Sequence, residues 1–301
     1  MLLGLVTAVT VPAEVYRLQR PSDDVIGTPF YVKSSREGTL LDIARANGFG
    51  FDDMRHANPR VDMWVPPDGG NVLIPNRFVL PDAPREGIVL NLAEKRLYFF
   101  PPGEDGTVYS YPISIGREGH TTPVGRFHIL SKKENPSWRP PGWLRAEREA
   151  EGRPIPAVVP PGPDNPLGDY ALRLSDPSYL IHGTNRPWGM GMAVSAGCIR
   201  LYPEDIAHLF PRVETQTRVT IVDQAYKLGW LEGGLYLEVH RDEDTPVQGA
   251  REIIGQELAQ DPSVFVDWSA VARVRDENAG LPQLVGGRDA LANWHHLDMI
   301  F

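Results

Sequence analysis

With 301 residues, 42% of them hydrophobic and 23% charged, the chain has the make-up of a folded globular protein with room for two domains or one large one, and disorder throughout is excluded. Thirty basic against 39 acidic side chains give a formal charge of −9, so there is no electrostatic footprint for a nucleic-acid partner. The single cysteine, Cys198, cannot form an intrachain disulfide, and no apolar run approaches the roughly 18 residues of a membrane span.

Met1 to Val11, MLLGLVTAVTV, is apolar over about the length of a signal-peptide core, and Val11-Pro12-Ala13 has the small-residue character of a cleavage site, so residues 1–27 read as an export leader. The Lys or Arg expected before such a core is missing, which leaves a start further upstream or a buried N-terminal strand as alternatives. Residues 28–76 form a unit of their own. Phe30-Tyr31-Val32 reads as a strand, Thr39 to Ala44 as a helix start, Asp52 to Arg55 as a second helix ending near Asn58-Pro59, and Val72 to Pro75 as a closing strand. Residues 77–87, RFVLPDAPREG, read as a short linker.

Residues 88–223 carry short strands separated by turn residues. Ile88 to Leu92 and Arg96 to Phe100 flank a hairpin turn, Tyr109 to Ile115 and Gly125 to Leu130 are further strands, and Tyr179-Leu180-Ile181 is a buried one that Gly183 ends. Pro203-Glu204-Asp205-Ile206 opens a helix running to about Phe210, and Arg218 to Val222 reads as the strand closing this core. Between them, residues 134–168 turn proline-rich, which bars them from core sheet. Trp138, Trp143 and Leu144 are costly to leave in water, so this stretch reads as an ordered flap over a cleft, with Ala146 to Ala150 as a short helix. In residues 224–301, Leu235 to Val239 alternates as a strand, and Ala250 to Ala259, Val264 to Asp276 and Arg288 to His296 have helical spacing.

Chemistry concentrates between His182 and Leu201. A thiol attacks only as thiolate, so Cys198 needs a base or a cation nearby, and His182 at a strand end is the natural base. Gly197 permits a tight bend that brings backbone N–H groups near Cys198 to a reacting carbonyl, where each oxyanion donor contributes roughly 2.7–4 kcal/mol. Arg200 adds positive charge that favours thiolate or holds a substrate carboxylate. The bland alternative is a buried, inert cysteine beside a core histidine. His295-His296 has no ligand partner at metal spacing, so neither a metal nor a cofactor is expected. His120, His128 and His208 read as packing or surface residues.

His182-Gly183-Thr184, a glycine-containing spacer, and Ser195-Ala196-Gly197-Cys198-Ile199-Arg200-Leu201 resemble the signature of the L,D-transpeptidase catalytic domain (YkuD-type). Thr122-Pro123-Val124-Gly125-Arg126-Phe127, Asn165 to Gly168 and Tyr170-Ala171-Leu172 extend the resemblance over about residues 86–240. It implies Cys198 as acyl-accepting nucleophile, His182 as its base, and the Gly183 carbonyl as the group that orients the imidazole. Ser195, Gly197, Arg200 and the flap residue Trp138 are the expected oxyanion and substrate-binding residues. Ala196 departs from the commonest pattern, which has histidine there, and leaves His182 as the local base. Residues 28–76, with GTLLDIA, an Asn-Pro and NVLIP, resemble the LysM peptidoglycan-binding module.

The expected architecture is therefore a mainly β catalytic domain, β-sandwich-like or barrel-like, with a small α+β LysM-like domain and a C-terminal helical extension. The resemblance implies an enzyme of cell-wall peptidoglycan biosynthesis, exported to the periplasm or cell envelope and acylated by carbapenems. It would hold a stem-peptide donor as a thioester and pass it to another stem peptide, a lipoprotein lysine, a free D-amino acid or water. A non-catalytic peptidoglycan binder, for which Ala196 argues, and an L,D-carboxypeptidase or other hydrolase stand as alternatives.

Overall fold

Thr39 fixes the start of the first helix. In the computed structural model, which describes residues 14–288, its hydroxyl accepts from the Asp42 N–H while the Asp42 carboxylate accepts from the Thr39 N–H, so two of the helix's orphan donors are satisfied reciprocally. The apolar run at the N-terminus, the helix expected beyond Arg288 and the His295-His296 pair lie outside the described residues. In chain order the first elements are β1 (Glu14–Arg17), β2 (Val25–Gly27), β3 (Phe30–Lys33), α1 (Leu40–Ala46), α2 (Phe51–Ala57), β4 (Asn71–Ile74) and β5 (Arg77–Val79). β3 pairs antiparallel with β4, and the Asn58 side chain ties the end of α2 to Leu73 by donating to its carbonyl and accepting from its N–H.

Two sequence readings change here. The stretch expected to be a linker opens with β5, which pairs with β2, and Phe78, Val79 and Leu80 are buried. The span read as a leader contributes β1 to the main sheet from Glu14 onward.

That sheet is built from β6 (Gly87–Asn91), β7 (Arg96–Phe100), β8 (Thr107–Pro112), β10 (Gly125–Glu134), β11 (Tyr170–Leu174), β12 (Leu180–His182), β14 (Ile199–Arg200) and β15 (Arg218–Val222), joined by β1 at one edge. Its order is β1-β8-β7-β6-β15-β10-β11-β12-β14, so the domain is mainly β, as expected, in one mixed nine-stranded sheet. β9 (Ile115–Gly116) and β13 (Ala193–Ser195) form a separate parallel pair, while α3 (Gly142–Ala150) lies in the proline-rich stretch and α4 (Pro203–Leu209) follows the cysteine. β15 does not close the sheet. It lies in the middle, antiparallel to β10 and parallel to β6, and a parallel partner needs the long crossover that the intervening strands supply.

The hairpin β6–β7 is buried on both faces, which explains why Arg96 to Phe100 reads as a continuous run and not as an alternation. Ile88, Leu90, Leu97 and Phe99 face the core shared with α4, whereas Val89, Tyr98 and Phe100 face a second core completed by Leu40, Phe49, Met54 and Phe78. The N-terminal unit therefore shares a core with the main sheet.

The C-terminal part differs from a strand with helices. β16 (Tyr226–Leu231), β17 (Gly234–Val239), β18 (Phe265–Val266) and β19 (Gln283–Gly287) form a sheet in the order β16-β17-β19-β18, on which α5 (Gly249–Gln260) and α6 (Trp268–Glu277) pack. Val264 to Asp267, read as helix, includes β18, and the Asp267 carboxylate caps α6 at the Ser269 and Ala270 N–H groups. Among the described residues no helix is long and apolar enough to cross a membrane.

Buried charge joins this sheet to the main one. Lys227 of β16 donates to Glu94 at 2.7 Å, to the Val79 carbonyl at 2.6 Å and pairs with Glu238 at 3.0 Å, with all three side chains out of contact with water. Replacing Lys227 by Met strips two buried carboxylates of their cation and should cost about 3–5 kcal/mol in denaturant unfolding at neutral pH. Burial already raises the Glu238 pKa against the opposing Lys227 charge, so loss of the lysine raises it further. A carboxyl with a raised folded pKa holds its proton more tightly folded than unfolded. The Lys227→Met deficit should therefore shrink as pH falls through that folded value and be full above it.

Candidate active site

β12 and β14 run parallel, with Ile181 opposite Ile199 and His182 opposite Arg200. Paired residues of a parallel ladder point to one face, and the two isoleucines lie in the main core at 0% exposure. His182 and Arg200 must then share the other face, and the same alternation carried back by one residue adds Cys198. Diagonal neighbours across adjacent strands stand about 7–8 Å apart at the backbone, within reach of an imidazole.

The imidazole is anchored. Its Nδ1 lies 2.6 Å from the Gly183 carbonyl, which can only accept, so Nδ1 carries the hydrogen and Nε2 the lone pair. His182 is buried, and burial together with the Arg200 charge lowers its pKa to about 3 against the raising effect of the Gly183 and Leu167 carbonyls. It is a neutral base at neutral pH. Gly183 is close-packed: a Cβ there would lie 3.1 Å from Ile206 Cγ2 and 3.3 Å from the Leu167 oxygen.

Cys198 is half-buried, and its thiol donates to the Ser178 carbonyl at 3.9 Å. Burial raises its pKa, opposed by the Leu180 N–H and by the Arg200 and Arg173 charges. Among the described residues no hydrogen bond joins thiol and imidazole, and in a ligand-free site such bonds are often long. Arg200 is itself partly desolvated. Burial lowers its pKa, the cysteine opposes that and Arg186 adds to it, and its Nε has no partner among the described residues. A half-buried guanidinium suits a ligand carboxylate.

The turn before Cys198 corrects two expectations. Ser195 does not face substrate: its hydroxyl donates to the Cys198 carbonyl at 2.6 Å and accepts from the Gly197 N–H at 3.1 Å. Both backbone polar groups of Gly197 are thereby engaged, because its carbonyl accepts from Thr122 Oγ1 at 2.9 Å. The reason is geometric: Gly197 sits at φ +104°, and a turn that tight aims its N–H back at the preceding serine. The N–H of Cys198 donates to no backbone acceptor among the described residues.

Trp138 is not brought to this cluster by hydrogen bonding. Its backbone exchanges two bonds with Val159, at 2.9 and 2.8 Å, inside the proline-rich stretch. That stretch is ordered by Asn165, whose amide donates to the Pro136 carbonyl at 2.7 Å and the Pro160 carbonyl at 3.1 Å. Its helix α3, longer than expected, leans on the segment that leads to Thr122, through the Arg117–Glu147 pair at 2.9 Å and the Trp143 ring stacked 3.9 Å from His120. Thr122, Ser178 and the Leu167 carbonyl are site features that sequence reasoning did not assign. Thr122 and Leu167 fall in the segments quoted above, but nothing in sequence says which atom each engages.

Among the described residues Glu94, Glu238 and His240 have metal-like grouping, yet Lys227 already supplies the positive charge between the two carboxylates.

A family model for the L,D-transpeptidase catalytic domain matches residues 85–221. The "Probable L,D-transpeptidase YcfS" of Escherichia coli (strain K12) is 38% identical over 286 residues, covering 91% of this chain and 89% of its own length. The chain belongs to the L,D-transpeptidase family. The "Probable L,D-transpeptidase ErfK/SrfK" of Salmonella typhimurium is a further relative, 41% identical over 75% of this chain and 74% of its own. Among solved structures, an Enterococcus faecium L,D-transpeptidase catalytic domain acylated by ertapenem overlays 45% of this chain and 95% of that one at 21% identity and TM-score 0.35. Mycobacterium tuberculosis L,D-transpeptidase 3 overlays 65% and 92% at 20% and 0.34. Membership in the L,D-transpeptidase family brings the acyltransferase class with it.

The two shifted pKa values have a measurable consequence. With the thiol raised and the imidazole depressed, the resting pair is thiol and neutral imidazole and not thiolate and imidazolium. Alkylation of Cys198 by iodoacetamide should therefore keep accelerating with pH past the ordinary thiol range of about 8.5, with no plateau in the acid range. In the same protein the His182 ring protons should show no NMR titration between about pH 5 and 8. A rate already flat at pH 6 would mean a preformed ion pair.

Proposed function

We propose that this L,D-transpeptidase works on peptidoglycan stem tetrapeptides through a thioester on Cys198. In the first half-reaction the Cys198 proton passes to Nε2 of His182 as Sγ attacks the carbonyl that follows the L-centre of the diamino acid. The C–S bond forms, the C–N bond to D-Ala breaks, and the imidazolium returns its proton to the departing amine. In the second an acceptor amine attacks the thioester, gives its proton to His182, and the sulfur leaves and is reprotonated. The observation that carries this reading is the imidazole held at Nδ1 by the Gly183 carbonyl, with the β12–β14 register setting it on the same face as the thiol. The Cys198 N–H is the oxyanion donor, and Arg200 holds a substrate carboxylate.

Family membership supports peptidoglycan as the substrate, and a wall substrate in turn favours a place outside the cytoplasm, in the periplasm or cell envelope. The acceptor, whether a stem peptide, a lipoprotein lysine, a D-amino acid or water, is a matter for product analysis. Residues 28–76 are proposed as the glycan-binding unit. Tyr31 and Trp64 are largely exposed there, and aromatic faces of that kind suit a sugar ring. The rival reading, a binder without activity, leans on Ala196. It is weakened by the source of the turn's hydrogen bonds, which are Ser195 and Thr122, so no imidazole at 196 is needed to form it.

Incubation with tetrapeptide muropeptides should yield free D-Ala together with 3-to-3 dimers, or with the shortened tripeptide alone if water is the acceptor. Cys198→Ala should lose on the order of 10³-fold or more in D-Ala release. Full activity of that variant sinks the thioester. Arg200→Gln removes a charged hydrogen bond worth about 1.5–3 kcal/mol and should raise KM at least tenfold with a smaller change in kcat. An unchanged KM would leave Arg200 without a substrate role.

A further inference from the structure

The segment between His182 and Cys198 is held from outside by the N-terminal unit. Gly50 and Gly191 meet backbone to backbone: a Cβ on Gly50 would lie 2.5 Å from the Gly191 Cα, and one on Gly191 would lie 2.5 Å from the Phe51 nitrogen. Phe51 donates its N–H to the Met190 carbonyl at 2.8 Å, so the first turn of α2 is satisfied by the spacer of the catalytic site. Gly50 itself has φ −101°, a conformation open to any residue. Glycine stands there because of its neighbour and not because of its own backbone.

From Gly191 the chain runs into β13, whose pairing with β9 ends at Ser195, the residue whose hydroxyl bridges Gly197 and Cys198. Ser114 grips the other side of the spacer: its hydroxyl donates to the Gly189 carbonyl at 2.6 Å, and its backbone exchanges hydrogen bonds with Arg200. A second brace follows the cysteine. Arg45 of α1 binds Glu204, in the first turn of α4, through two hydrogen bonds of 2.7 and 2.9 Å.

We propose that the N-terminal unit is part of the acyl-transfer machinery, with Gly50 as a positioning residue that sets the Ser195–Cys198 turn through Gly191, and Arg45 as a second one acting through Glu204. The inference rests on the reading of Cys198 as the acylated thiol. A tethered binding module would leave the spacer free to adjust; here a single methyl group on Gly50 must push Gly191, and with it β13, out of place. Gly191 itself is at φ +79°, so a side chain at that position would be strained as well as crowded.

The test uses the full chain and three readouts: the second-order rate of Cys198 acylation by ertapenem, followed by intact mass; alkylation of the same thiol by iodoacetamide; and co-sedimentation with insoluble peptidoglycan. Gly50→Ala should slow acylation on the order of 10- to 100-fold, the scale of an ångström-sized misplacement, while alkylation and sedimentation stay at the level of the unaltered protein. Arg45→Gln should slow acylation less, and Arg45→Lys should restore most of it. A folded Gly50→Ala protein acylated at the unaltered rate overturns the proposal. If Gly50→Ala does not fold, Arg45→Gln decides, since its ion pair is partly solvated, and an unchanged rate there overturns it equally. An unaltered protein that forms no adduct at Cys198 defeats the thioester reading itself and the positioning role with it.

Discussion

The site depends on the parallel pairing of Leu180–His182 with Ile199–Arg200. A strand slipped by one residue reverses every side chain, so the other register would bury Cys198 and Arg200 and expose Ile199. What fixes the register is the burial of Ile181 and Ile199, each worth about 1.5–3 kcal/mol against exposure. The hydrophobic effect thus selects the face on which a thiol, an imidazole and a guanidinium converge, although none of the three contributes to that choice. Gly183 and Gly197 then bound the cluster, the first by offering its carbonyl to Nδ1 and the second by turning the chain into Cys198.

Arg200 bears on both partners in a single sense. Its positive charge lowers the pKa of the thiol and of the imidazole together, which favours thiolate and disfavours imidazolium. Burial acts against both charged forms. In the proposed reaction the pair would rest neutral and separate charge only when a carbonyl is there to receive the sulfur, as a general base does and a standing ion pair does not. In the proposed reaction a substrate carboxylate at Arg200 would neutralise the guanidinium and raise the basicity of His182 at the moment a proton must be taken. Substrate binding and base strength are then coupled through one side chain.

Much of this was legible in the sequence because it is local. Thr39 announces its helix, Asn58 ends the next, and the order of His182, Gly183, Gly197 and Cys198 marks a strand end and a turn whichever fold surrounds them. What escaped depends on atoms far away in sequence. Ser195 and Gly197 looked substrate-facing because residue type shows that a hydroxyl and an amide are present but not that they bond each other. β16 was missed because Lys227 and Gly229 break its apolar run; Lys227 is buried against Glu94 in the β6–β7 turn, and Gly229 leaves room for Val79 and Asp24. β15 read as a closing edge because nothing in Arg218 to Val222 says that its partners, β6 and β10, lie on both sides.

Arg96 shows why the N-terminal unit cannot be regarded as an appendage. In sequence it opens a strand, RLYFF, and would pass for a solvated end. In the fold it is 1% exposed, its guanidinium 4.9 Å from the Phe49 ring and 4.3 Å from the Phe78 ring, with its charge met by Asp53 at 2.9 Å. Phe49 and Asp53 come from the N-terminal unit, and Phe78 from β5 directly after it. A buried guanidinium is tolerable only where an opposite charge and donors' acceptors are in place, and a shift of the unit by one residue would leave it unpaired. The apolar contacts of that shared core are non-directional and would accept small slips, whereas the Arg96–Asp53 pair accepts none. Asp53 also accepts from the N–H of Gly50, the residue that presses on Gly191. The charge that fixes how the unit docks on the hairpin is therefore one hydrogen bond away from the contact that reaches the cysteine turn, and docking register and site geometry are set together.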